Sequence, residues 1–166
     1  MHGLLKSRKD AEFEIVDLED YKLPLLDEPV PPTMHQYSKA HTKASSEKIA
    51  PFDAYIFVTP EYNHSTSAAL KNAIDFLFHE WNSKAAGFAG YGGAGGVWAV
   101  ENLRLVMGEI KVADMRAQVA LSLFSDFENF AIFRPHEHHD KTVHLMADEV
   151  IAWGEALKTL REPGQK

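Results

Sequence analysis

Ala54-Tyr55-Ile56-Phe57-Val58-Thr59-Pro60-Glu61-Tyr62-Asn63-His64-Ser65-Thr66 is the stretch on which the fold turns. Its first five residues form an unbroken apolar run, which suits a strand buried on both faces of a parallel sheet. Pro60 removes a backbone donor and ends the run. Ser65 or Thr66 is placed to cap a helix whose apolar positions are Leu70, Ala73, Ile74 and Leu77. Strand, turn and helix in that order make half of a βαβ unit.

The same pattern recurs downstream. Residues 85–91 predict a strand, 92–96 a glycine-rich turn, and 97–110 a helix with Val100, Leu103, Met107 and Ile110 inward. A further strand is expected at 115–121 and a last helix at 143–161, with Val143, Met146, Val150, Trp153 and Leu157 as its buried stripe. Upstream, Phe13 and Ile15 mark a short strand at 13–17. Four prolines between Pro24 and Pro32 make a surface loop. Residues 38–50 read as a polar helix with Ala40 and Ala44 inward, stopped by Pro51. The whole chain, 1–166, reads as one α/β domain built on an open, mostly parallel sheet with helices on both faces.

Composition narrows the function. With 45% hydrophobic and 25% charged residues a packed core is expected and disorder is not. There is no cysteine, which excludes disulfides, thiolate nucleophiles and iron–sulfur ligation. A formal net charge of −7 without a block of Lys or Arg argues against nucleic-acid binding. No apolar run approaches the ~20 residues of a membrane span, and the first residues do not read as a signal peptide, so a cytoplasmic, membrane-free protein is expected.

Two turns carry the candidate chemistry, because ligands of open α/β sheets bind beyond the carboxyl ends of the strands. In the first, Pro60, Glu61, Tyr62 and Asn63 combine a stiff exit, a carboxylate, a flat ring and a carboxamide. Local chemistry alone leaves an ordinary turn and a ligand loop equally open. In the second, six of the ten residues from Gly87 to Gly96 are glycine, which lets backbone approach a ligand closely. Since parallel strands put their βα turns on one side, both turns are expected at the same sheet edge, as two walls of a slot for a planar ring.

At these residues a family resemblance becomes specific. Pro60-Glu61-Tyr62-Asn63-His64-Ser65 followed by Leu70-Lys71-Asn72-Ala73-Ile74-Asp75 resembles the signature of the NADPH-dependent FMN reductases. Tyr91-Gly92-Gly93-Ala94-Gly95-Gly96, with Leu103-Arg104, resembles that family's second flavin loop. The resemblance implies a three-layer flavodoxin-like fold of strand order 2-1-3-4-5 and FMN reduced by NADPH, or by NADH. It implies a flavin, quinone or similar small-molecule acceptor, and a homodimer or homotetramer. It places Pro60, Glu61, Tyr62 and Asn63 at the ring edge and ribityl side, and Tyr91, Gly92, Gly93, Ala94, Gly95 and Gly96 across from them. The chemistry belongs to the cofactor, so no side chain is named as catalytic.

The resemblance also shows departures. The family's opening apolar strand and phosphate-binding loop have no counterpart, and Met1-His2-Gly3-Leu4-Leu5-Lys6 resembles only the end of the helix after them. Relatives place a serine at Gly93 and often an arginine at Trp98. The expected consequence is an unfilled strand position between 13–17 and 54–59, closed by shifting the first segment, filled by borrowing a strand, or left to make the chain unstable, with poor FMN affinity in all three cases because no phosphate cradle replaces the missing one. A flavin-less binding or structural protein and a flavodoxin-type electron carrier are the competing functions.

Two further clusters were weighed. Pro135-His136-Glu137-His138-His139-Asp140 with His144 reads as a solvated loop and first helical turn rather than a zinc or nickel site, since its spacing matches no helical ligand pair with a carboxylate, and no metal ligand is assigned. Phe124, Phe127, Phe130 and Phe133 read equally as loop core or as a subunit interface, and Trp81 is expected to join that interface or border the flavin.

Overall fold

The computed structural model describes residues 1–161. Three parallel strands form the central sheet in the order β1 (Ala54–Pro60), β2 (Lys84–Gly92), β3 (Val112–Ser122). The first face carries α2 (Ala40–Ile49), α3 (Ala68–Asp75) and α4 (Val97–Glu109), packed through Ile49, Leu70, Ile74, Val100, Leu103 and Met107 onto Phe57 and Phe88. The second face carries α1 (His2–Leu5) and α5 (His138–Arg161), packed through Leu5, Val143, Met146 and Val150 onto Ala85 and Ala89. A hairpin, β4 (Phe127–Glu128) and β5 (Ile132–Phe133), fills the connection between β3 and α5. The result is a three-layer α/β fold of the flavodoxin-like type. No helix among the described residues is long and apolar enough to cross a membrane.

The expected strand at 13–17 does not form. A strand exists only through a ladder with a neighbour, and β1 pairs with β2 alone. The segment instead sends Phe13 to the α5 side and Val16 to the α3–α4 side, with Ile15 in solvent. β1 is therefore an edge strand with a central strand's sequence, and Val58 is 57% exposed on it. The gap expected beside β1 is not closed by pairing.

Three helix details also depart from expectation. In α2 the buried residues are Thr42, Ser45 and Ile49, while Ala40 and Ala44 face solvent. Beside that polar inner face, Ser46 on the same helix donates to the buried Glu80 carboxylate at 2.5 Å. In α3 the cap is Ser67, whose Oγ accepts from Leu70 N, while Thr66 instead bonds Thr59 Oγ1 at 2.7 Å. In α5 the stripe runs through Val150 and Gly154, which turns Trp153 outward. Gly154 lies where a Cβ would stand 3.3 Å from that of Ala54, so the helix packs tightly on the start of β1.

Trp81 is neither an interface nor a flavin residue. It is 4% exposed, donates its indole N–H to Ile74 O at 3.1 Å, and packs edge-on against Tyr55 inside the core.

Candidate functional site

The site is built where β1 and β2 end together. Pro60 lies in register with Tyr91, and the chain stays joined one residue further, Glu61 N donating to Tyr91 O at 2.9 Å. The turns that follow the two strands therefore leave the same edge of the sheet side by side.

The first turn is closed on itself. Tyr62 and Ser65 exchange backbone hydrogen bonds, N to O in both directions, at 3.0 and 3.1 Å. The two residues between them, Asn63 and His64, are forced to φ of +49° and +69°, a left-handed conformation that asparagine and histidine tolerate better than most residues. In the second turn Gly95 N donates to Gly92 O, and Gly96 at φ +71° turns the chain into α4. Leu123 N, just past the end of β3, donates to the same Gly92 O.

Four backbone amides on exposed residues of the two turns are left over. Among the described residues, the N–H groups of Asn63, His64, Gly93 and Ala94 have no acceptor, and all four residues are exposed. Aromatic surface surrounds them: Tyr62 is 64% exposed, Tyr91 sits 6.3 Å from Phe127 between ring centroids, and Phe124 is the nearest neighbour to the open side of Gly93. Burial, and then the neighbouring Tyr62, raise the Tyr91 phenol above its usual range, so it remains a neutral donor. Outward donors framed by flat apolar rings suit a planar ligand with carbonyl oxygens and ring nitrogens at its edge.

Glu61 has a different place from a free ligand group. Its Oε2 accepts from Trp98 N at 2.9 Å and Ala99 N at 3.3 Å, so the carboxylate of the first turn caps the helix after the second. Asn102 Nδ2 donates to His64 O and Trp98 O, and the His64 and Trp98 rings stack at 4.4 Å and 19°. Cap, carboxamide and stack lock the two turns together. Apart from Glu61, none of these partners was named as a site residue from the sequence, although Trp98 beside a glycine-rich turn is a recognisable signal.

The signature residues beyond the turns are structural. Asn72 accepts from Leu26 N at 3.0 Å and donates to Pro24 O at 2.7 Å, fastening the proline-rich loop to α3. Lys71 pairs with Asp75 on the same helix at 2.7 Å. Arg104 stacks over Phe88, pairs with Asp114, and donates to Met115 O and to Gln118 Oε1. That is where β3 slips register against β2 between Ala86 and Phe88, so Arg104 holds an irregular strand in place.

A buried carboxylate anchors the segment that follows β3. Asp126, 2% exposed, accepts from Ser122 N, Ser125 Oγ and His136 N, and its Oδ1 lies 2.8 Å from His139 Nε2. Burial alone would raise its pKa, but these hydrogen bonds outweigh burial and hold it below the ordinary range. His139 belongs to this structural pair. Of the phenylalanines, Phe124, Phe130 and Phe133 are exposed and Phe127 is half-buried against Phe133.

Comparison with known proteins agrees with this geometry. A family model described as NADPH-dependent FMN reductase matches residues 1–126. The chain is 42% identical over 123 residues to an NAD(P)H-dependent FMN reductase of Schizosaccharomyces pombe, covering 73% of this chain and 62% of that protein. It is 39% identical over 136 residues to an NAD(P)H-dependent FMN reductase of a Nectria species, covering 76% and 67%. The chain thus spans about two thirds of the length of these relatives. Among solved structures, the flavoenzyme NAD(P)H:(acceptor) oxidoreductase FerB of Paracoccus denitrificans superposes with a TM-score of 0.70 at 20% identity, covering 93% of this chain and 85% of that one.

Proposed function

The chain belongs to the NADPH-dependent FMN reductase family, and from that premise we propose that it acts as an FMN-dependent NAD(P)H oxidoreductase. The observation that carries the reading is the set of four unpaired amides, two in each turn, held in register at one sheet edge. The residues present fit the flavin's ring: Asn63, His64, Gly93 and Ala94 would donate to its polar edge, and Tyr62 and Tyr91 would lie against its apolar part. When bound, FMN supplies the hydride and electron chemistry. The protein's own part is to orient the ring, to keep the Tyr91 phenol protonated, and to exclude water with the loop that Asp126 anchors.

Quinone or free flavin is the proposed acceptor, and the cytoplasm the proposed location. A homodimer or homotetramer is proposed with Phe124, Phe130 and Phe133 in its contact, because these exposed rings lie together at the rim of the site. Light scattering at micromolar concentration tests that part, and a monomer refutes it.

FMN titration of the purified chain, followed by quenching of flavin fluorescence, tests the main reading. The expected result is saturable binding, and NADH or NADPH oxidation on addition of a quinone. Absence of both would favour a flavin-less binding protein. Flavin binding without NAD(P)H oxidation would favour a one-electron carrier.

A further inference from the structure

We propose that the open face of Trp98 is the seat of the adenine ring of the hydride donor, and that this seat gives no advantage to a donor carrying a 2′-phosphate. The proposal rests on the NAD(P)H reading above and deepens it by assigning the donor's second ring a place.

Trp98 is held on three sides. Its backbone N–H is given to Glu61, its carbonyl accepts from Asn102, and one ring face lies on His64 at 4.4 Å. His64 is fixed in turn by its carbonyl bond to Asn102 and by its left-handed backbone. With one face on His64 the residue still exposes 44% of its surface, and that surface is assigned to the donor. A rigid indole with one free face gives stacking without ordering cost.

The position selects the ligand. Trp98 begins α4, just beyond the turn whose amides face outward at Gly93 and Ala94. A nicotinamide that reacts with a flavin between the turns cannot also lie on Trp98, whereas the donor's adenine can. The N-terminus of α4 would ordinarily attract a phosphate, but the Glu61 carboxylate already occupies it. One turn further along α4 stands a second carboxylate, Glu101, engaged by Arg104. The recognised group is therefore a neutral planar face beside two carboxylates, and Arg104, the cation next to the second, is already committed to Glu101 and Asp114, so it is not free for a 2′-phosphate. NADH should serve at least as well as NADPH.

Isothermal titration of ADP-ribose, the donor without its nicotinamide, into the chain with and without FMN tests this directly. Stacking of a base on an aromatic ring predicts that Trp98→Ala weakens ADP-ribose binding about tenfold. Trp98→Phe should retain most of the affinity, and 2′-phospho-ADP-ribose should bind no tighter than ADP-ribose. No ADP-ribose binding, equal binding by wild type and Trp98→Ala, or clearly tighter binding of the 2′-phosphorylated probe would each overturn the proposal. The probe contains no reacting group. ADP-ribose binding through Trp98 in a chain that never takes FMN would therefore support this seat and refute the proposed reductase, whereas NADH oxidation with ADP-ribose indifferent to Trp98 would do the reverse.

Discussion

Glu61 Oε2 and Trp98 N, 37 residues apart in sequence, are 2.9 Å apart in space. One carboxylate, on the residue after β1, thereby caps α4 and joins the two turns that frame the site. An uncapped helix start loses about 1–2 kcal/mol. Glu61→Ala is therefore expected to lower unfolding stability in urea by that amount. It should also widen the slot, seen as faster amide exchange at 61–64 and 92–98. Glu61→Gln, which keeps an acceptor, should lose less than half as much.

Acid stability follows from three carboxylates held below their usual range. Burial pushes Glu28 up, but hydrogen bonds from the Ser38 and Lys39 amides and the Ser38 hydroxyl more than offset it, bringing the group down to about 2. Glu80 and Asp126 are likewise lowered against burial by their hydrogen bonds. A folded-state pKa below the unfolded value contributes stability that is complete above the unfolded value, about 4, and is lost as pH falls through the folded one. Unfolding free energy should therefore drop steadily from pH 4.5 toward pH 2. Glu28→Gln should show a shallower slope, and an unchanged slope in that variant would contradict the assignment.

Much of the sheet was legible from sequence because β1 and β2 are largely apolar runs ending in Pro and Gly, and α3 and α4 carry regular apolar periods; β3, with Asp114, Arg116 and Gln118 inside it, was legible only from 115 onward. The strand at 13–17 was misread for a physical reason. Alternation at Phe13 and Ile15 describes side chains, whereas a strand also needs a ladder partner, which nothing local announces. The buried face of α2 was missed because two of its three buried residues, Thr42 and Ser45, are polar, and the Glu80 carboxylate that ties the helix down lies 34 residues from its Ser46 partner. The placing of the two turns side by side at one sheet edge was legible. The cap from Glu61 and the stack on His64 were not, since both are tertiary contacts between separate turns.

Alkaline behaviour should be set by Lys84. Its ammonium is buried at the start of β2 among Ile49 O, Ala50 O and Tyr55 Oη, and burial, aided by the charge of Arg161, brings it down from 10.5 to about 8. Between those values the unfolded chain holds a proton that the folded chain has released, so stability rises with pH. Burial raises the Tyr55 phenol well above 10, so above pH 10 the unfolded chain loses a proton that the folded one keeps, and the gain is opposed. Denaturation across pH 7 to 11 should show a rise from about pH 8 and a turnover near pH 10. Lys84→Met should abolish the rise and leave the fall.

The bare edge of β1 makes a prediction about association. Val58 is 57% exposed on a strand paired on one side only, with no charge between Ala54 and Pro60, the kind of edge that pairs with other chains. Val58→Lys should raise the concentration at which the protein aggregates severalfold, by turbidity or light scattering, while changing stability by less than about 0.5 kcal/mol. Aggregation unchanged by the substitution would mean that this edge is not the adhesive surface.

The glycines of the second turn should divide sharply under substitution. Gly96 has φ +71°, and a Cβ there would stand 2.5 Å from Tyr91 N and 2.6 Å from Gly90 C, both backbone atoms that cannot yield. Gly96→Ala combines a left-handed penalty of about 1–2 kcal/mol with that collision, so a total loss on the order of 3 kcal/mol is expected, with β2 and α4 forced apart. Gly93 has open space: the nearest atom to its added Cβ would be Phe124 Cε2 at 3.7 Å, an ordinary contact. Gly93→Ser should therefore stay within about 0.5 kcal/mol of the parent chain in thermal or urea unfolding. It should also place a hydroxyl on the exposed side of the turn beside the unpaired amides of Gly93 and Ala94. If FMN occupies the slot, its affinity should change in this variant while stability does not. A parallel loss of both would show that Gly93, like Gly96, is held by packing.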